Sequence, residues 1–203
     1  MNIYILLIFL WLVFFAVHSI MASSFVKNKV NSLHPLFKSY YRLLFNLIAT
    51  LQLIPIAYIY TKTPGEYIIM PSTAYEIVGT LLSFLGTYIL FVGFKNYRTD
   101  EFIGTYQIRN HHEFHPTSLN RSGWNGIVRH PLYFGGILIL LGLFLISPTI
   151  KLGITGLLAI GYLYIGSIWE EKKLVAEFGV VYQQYQQEVS MLIPLKWLSR
   201  KAC

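Results

Sequence analysis

Long stretches without a formal charge dominate this chain, broken at intervals by short clusters of Lys, Arg and Glu. About 20 apolar residues cross a typical hydrocarbon core, and about 17 suffice. The pattern therefore predicts an all-α integral membrane protein with five transmembrane helices, at about residues 2–25, 43–61, 76–95, 131–149 and 152–169. The last two are separated by little more than Ser147-Pro148-Thr149-Ile150-Lys151, which reads as a helical hairpin turn. No basic residue precedes the first run, and it is too long for the apolar core of a signal peptide, so a retained first helix is expected.

The charges between the runs orient the bundle. Lys27, Lys29, Lys38 and Arg42 follow the first run, whereas only Lys62, set against Glu66, follows the second. Lys95, Arg98, Arg109, Arg121 and Arg129 follow the third, Lys151 alone the fourth, and Lys172, Lys173, Lys196, Arg200 and Lys201 the fifth. Rich and poor loops alternate, which predicts the N-terminus outside and the C-terminus in the cytoplasm. Residues 170–190 change character: Leu174, Phe178, Val181, Tyr182 and Tyr185 give an apolar face at mostly helical spacing, interrupted at Gly179. We expect a cytoplasmic C-terminal amphipathic helix there. The whole of 1–203 reads as a single membrane domain, with cytoplasmic loop 96–130 and region 170–190 covering one site.

Composition sharpens this picture. Only 12% of the 203 residues are charged, about half the share in soluble domains. The net charge of +7 lies in the gaps between apolar runs, so membrane lipids are the expected partner and nucleic acid is not. The single cysteine, Cys203, allows neither an internal disulfide nor a Cys-based metal site. Gly79, Ser83, Gly86, Thr87 and Gly93 fall largely along one helical stripe, a packing seam rather than a cofactor cradle. Pro55 is expected to bend the second span.

Polar residues at the margins of membrane runs are the candidates for chemistry. His111-His112-x-x-His115 with Glu113 has the wrong spacing for a helical zinc motif, and Pro116 opposes a helix there, so no metal is expected. His18 suits a helix-to-helix hydrogen bond. Arg129-His130-Pro131 sits at the mouth of the fourth span, with Tyr133 one turn deeper and Gly135-Gly136 leaving room for a ligand or another backbone. A helix N-terminus there favours an anionic group. A snorkelling arginine beside a proline cap suits the same residues, and both readings stay open. Glu170-Glu171 closes the fifth span, and neighbours about 100° apart on a helix are not expected to share one role.

Arg129-His130-Pro131-Leu132-Tyr133-Phe134-Gly135, Glu170-Glu171, Phe178-Gly179-x-x-Tyr182-x-x-Tyr185 and Val189 through Pro194 resemble the C-terminal half of the isoprenylcysteine carboxyl methyltransferase superfamily. His18-Ser19 and Tyr41-Arg42-Leu43-Leu44-Phe45-Asn46 are similar to its nurim-like branch, which includes methanethiol S-methyltransferases. The resemblance implies a multi-pass membrane methyltransferase that uses S-adenosyl-L-methionine, with a bacterial inner membrane as the expected location. It implies that Leu119, His130, Pro131, Leu132, Tyr133 and Glu170 bind the cofactor, with Arg129, Gly135 and Glu171 in support. The catalytic residue is not assigned.

Two departures bear on the acceptor. Asn125 stands where the superfamily usually has tyrosine, and Gly166 where the prenylcysteine enzymes carry an arginine serving the substrate carboxylate. The resemblance therefore points to a small or lipophilic thiol acceptor, or else a carboxylate. The alternatives are a non-catalytic membrane protein that retains the fold, and an NADPH-dependent reductase sharing the C-terminal motif.

Overall fold

The computed structural model describes residues 2–95, 99–110 and 119–201. His111, His112, Glu113 and His115 lie outside the described residues. Every regular element among the described residues is helical. In chain order these are α1 (Ile3–Ala22), α2 (Ser24–Asn31), α3 (Pro35–Lys62), α4 (Thr73–Phe94), α5 (Thr99–Ile103), α6 (Thr105–Asn110), a 3-10 turn at Gly123–Gly126, α7 (Pro131–Ile146), α8 (Ile150–Phe178), α9 (Val180–Glu188) and α10 (Leu195–Lys201). Four of them, α1, α3, α4 and α8, are long and apolar enough to cross a membrane, which marks an integral membrane protein. The shorter α7 is apolar throughout.

Two helices outrun the charge-free stretches that predicted them. The second span begins at 43 by charge, yet α3 starts at Pro35, where His34 Nδ1 accepts from the Leu36 N–H at 3.2 Å. The fifth span ends at 169 by charge, yet α8 runs on through Glu170-Glu171-Lys172-Lys173 to Phe178. No new helix starts at 170. Glu and Lys are good helix formers, so they end the apolar run without ending the helix. The break falls at Gly179, whose φ of +56° is a left-handed conformation that glycine adopts at little cost.

The chain divides into two compact units, Met1–Glu66 with Tyr97–His115, and Tyr67–Asn96 with Pro116–Cys203. In the first, α1 packs on α3, and the His18 ring lies 4.7 Å from that of Phe45. Tyr41 Oη donates to the Met21 carbonyl at 2.7 Å. Asn46 Nδ2 donates to the carbonyls of Phe102 and Ile103, both at 3.0 Å, and Arg42 Nε donates to Phe102 at 3.2 Å. These bonds satisfy the last carbonyls of α5, which the helix itself leaves without partners. Gly104 (φ +106°) lets the chain lie against α3, because a Cβ there would come within 2.9 Å of Leu43 N. The Tyr41–Asn46 segment thus fastens 99–110 to α3.

In the second unit α4 and α7 pack antiparallel along a glycine seam. A Cβ on Gly79 would meet the Gly142 carbonyl oxygen at 2.5 Å, and one on Gly86 would meet that of Gly135 at 2.5 Å. A Cβ on Gly93 would reach Leu132 Cδ2 at 2.8 Å. In lipid no hydrophobic force drives helices together, so close backbone approach has to hold them. The α7–α8 turn is tied down by the Ile68 N–H, which donates to Pro148 at 2.8 Å.

We predict that Gly86→Leu destabilises the protein by about 1–3 kcal/mol or more through overpacking. Gly161→Ala, whose new Cβ meets nothing within 4 Å, is the control. Thermal unfolding in detergent checks this, and equal melting temperatures for both variants would refute the seam.

Candidate active site

The site grows from the start of α7. Pro131 occupies its first turn, where a missing N–H leaves no bond unmade. The preceding amides are taken up by the C-terminal segment: Arg129 N–H donates to Ser190 at 2.9 Å and His130 N–H to Met191 at 3.2 Å. His130 is the N-cap residue, but its side chain does not cap. The ring turns instead to α8, with Nε2 2.7 Å from Glu171 Oε1.

Glu171 is the hub. Its carboxylate accepts from Arg129 Nε and Nη2, each at 2.8 Å, from Tyr182 Oη at 2.8 Å and from Gln186 Nε2 at 2.5 Å. Arg129 Nη1 donates onward to the carbonyls of Gln186 and Val189. Both ends of the Arg129–Glu171 pair are 9% exposed. The bidentate geometry and the added donors are what such a buried pair needs to offset its desolvation. Burial, reinforced by the bond to Glu171, raises the Tyr182 pKa far above its ordinary value, so its proton stays on oxygen to donate. Four side chains from two chain segments thus close on one carboxylate.

With both Glu171 oxygens accepting, His130 Nε2 carries the proton of that contact, and the other ring nitrogen is turned toward Glu170. Glu170 lies on that side, with Oε2 3.7 Å from Nδ1, and its side chain is 42% exposed. Tyr133 stacks on the imidazole with ring centroids 5.5 Å apart and planes 9° from parallel. The adjacent carboxylates have separate surroundings, as their helical phase requires. Glu171 is buried in the hub, and Glu170 is part exposed beside the His130 ring.

The expected site residues divide accordingly. His130, Tyr133 and Glu170 come together at the start of α7, and Arg129 and Glu171 brace them from behind. Pro131 is fully buried beneath. Leu132 and Gly135 turn toward α4, where they meet Gly93 and Gly86. The room at Gly135 is filled by another backbone. Leu119 packs on a buried cluster of Tyr182, Tyr185 and Val189. Asn125 contributes its carbonyl, which accepts from Tyr185 Oη at 2.5 Å. Tyr182 and Gln186 were not singled out as site residues. Their separation by one helical turn, on the face opposite Glu171, was the available signal.

Residues 75–180, which carry most of this constellation, match the phospholipid methyltransferase family. The chain belongs to that family. Methanethiol S-methyltransferase 1 of Bradyrhizobium diazoefficiens is 33% identical over 118 residues, 56% of this chain and 40% of that protein. The methanethiol S-methyltransferase of a Pseudomonas species is 44% identical over 70 residues, 34% of this chain and 25% of that protein. The Pseudomonas deceptionensis enzyme of the same name is 40% identical over 70 residues. The chain thus spans 25% to 40% of the length of these relatives. The isoprenylcysteine carboxyl methyltransferase-like superfamily and its methanethiol S-methyltransferase-like branch, read from the motifs, agree with these matches. No solved structure matches the chain.

Removing the guanidinium while keeping the carboxylate is the sharpest test of the hub. We predict that Arg129→Leu costs roughly 3–5 kcal/mol, because it strands a buried charge. Tyr182→Phe should cost about 1 kcal/mol. Thermal or denaturant unfolding measures both, and Arg129→Leu melting within 1–2 °C of the parent would sink the idea.

Proposed function

We propose that this chain is a membrane methyltransferase that uses S-adenosyl-L-methionine and methylates a small thiol. The observation carrying this reading is the grouping of His130, Tyr133 and Glu170 at the start of α7, inside the segment that matches the family. The relatives, named as methanethiol S-methyltransferases, favour sulfur as the acceptor atom. In the membrane arrangement that goes with it, α7 is a fifth crossing and the N-terminus lies outside. The amphipathic 170–190 region then lies on the cytoplasmic side of the membrane.

The donor set suits a zwitterionic, positively charged ligand. No side chain caps the start of α7, so that helix end would favour the ligand's carboxylate, and the His130 nitrogen turned from Glu171 would accept from its ammonium. Glu170, half exposed and one ring away, would offset the positive charge. Leu119, Pro131 and Leu132 complete the proposed binding set, with Gly135 supporting α7 from the α4 side. When bound, S-adenosylmethionine supplies a methyl group on a sulfonium sulfur, open to in-line displacement. The protein's part is orientation and exclusion of water. Arg129 and Glu171 hold the imidazole in one tautomer and one orientation. The thiol proton leaves to solvent before the new S–CH3 bond forms, as thiolate is the nucleophile.

Helix α8 argues against a carboxylate acceptor. Gly166 lies one turn before Glu170, and no Lys or Arg occurs between Lys151 and Lys172. An anionic acceptor approaching Glu170 from the apolar stretch of α8 would meet no cation of this helix before Lys172.

Calorimetry on detergent-purified protein should give micromolar S-adenosylmethionine binding and none of NADPH. Labelled cofactor should then methylate methanethiol and not a prenylcysteine carboxylate. Folded protein that binds neither nucleotide would contradict the reading.

A further inference from the structure

Behind the site, on the face of α8 roughly opposite Glu170, runs an open groove of about 400 Å³. Ile168, Glu171, Lys172 and Val175 supply one wall, Gln186 of α9 and Met191 of the following segment the other. The spacing of the four α8 residues puts them on one helical face. Glu171 forms part of the floor, but its oxygens are already taken by Arg129, His130, Tyr182 and Gln186. A ligand in the groove would therefore meet apolar walls at Ile168, Val175 and Met191, with Lys172 exposed at the rim. Lys172 makes no ion pair among the described residues. A second cation stands nearby: Lys196 Nζ donates to the carbonyls of Gln186 and Gln187, both at 2.8 Å.

The level of the groove identifies its occupant. It opens where the charge-free stretch of α8 ends, between Ile168 and Lys172. Trp169 is exposed at that height, and Val180, Val181, Ile193 and Leu195 are exposed on the neighbouring segments. Tryptophan, exposed aliphatics and lysines at the end of a membrane helix mark the headgroup boundary. We propose that the groove holds one anionic phospholipid of the surrounding membrane. An acyl chain lies along Ile168, Val175 and Met191, and the phosphate pairs with Lys172 and Lys196. Neither the acceptor nor the methyl donor occupies it.

Native mass spectrometry of the full chain, released from micelles containing equal phosphatidylglycerol and phosphatidylcholine, tests this. The first lipid adduct should be at least threefold enriched in phosphatidylglycerol. Lys172→Glu with Lys196→Glu should abolish the enrichment, and Val175→Trp should reduce adduct occupancy at least threefold by filling the groove. Equal uptake of both lipids, or enrichment unchanged in the variants, would overturn the proposal. S-adenosylmethionine titrated into the same preparations reads the methyltransferase assignment separately. Retained cofactor binding without lipid preference removes the groove alone.

Discussion

The carboxylate of Glu171 is buried at the meeting of α8, α9 and the start of α7. An unpaired charge there would be strongly destabilising. Arg129 meets it with two parallel hydrogen bonds, and His130, Tyr182 and Gln186 fill the remaining positions. Each donor fixes the element that bears it. Arg129 also grips the carbonyls of Gln186 and Val189, so the chain after α9 is drawn across the N-terminus of α7. The order of the site follows from satisfying one buried charge.

A second constraint sets where that N-terminus stands. Gly79 and Gly86 face Gly142 and Gly135, so α4 and α7 touch backbone to backbone. A helix held this closely has little freedom to slide. The seam fixes α7 from one side and Glu171 from the other. Between them His130 presents one ring nitrogen to the hub and the other to Glu170.

Much of this was legible in the residues. The charge-free runs located the long helices because lipid admits few alternatives to a helix. The stripe Gly79-Gly86-Gly93 announced a seam, and its partners Gly135 and Gly142 repeat the same spacing. Helix ends were harder, since hydropathy locates lipid and not helix. Lys172 and Lys173 therefore hid the continuation of α8, and Ser39-Tyr40-Tyr41-Arg42 hid the start of α3. The divergence of Glu170 from Glu171 followed from helical phase, but which one faces inward did not. That depends on Tyr182 and Gln186, brought round by the turn at Gly179.

These two neighbouring carboxylates divide the labour of the site. Glu171 holds the fold of the site, and Glu170, part exposed beside His130, is the carboxylate we propose for the ligand. Melting temperature and S-adenosylmethionine affinity of Glu170→Gln and Glu171→Gln, measured side by side, test it most directly. We predict that Glu170→Gln melts like the parent and binds the cofactor at least about tenfold more weakly, about 1.4 kcal/mol. Glu171→Gln should melt well below the parent. Unchanged stability in Glu171→Gln, or unchanged affinity in Glu170→Gln, would contradict it.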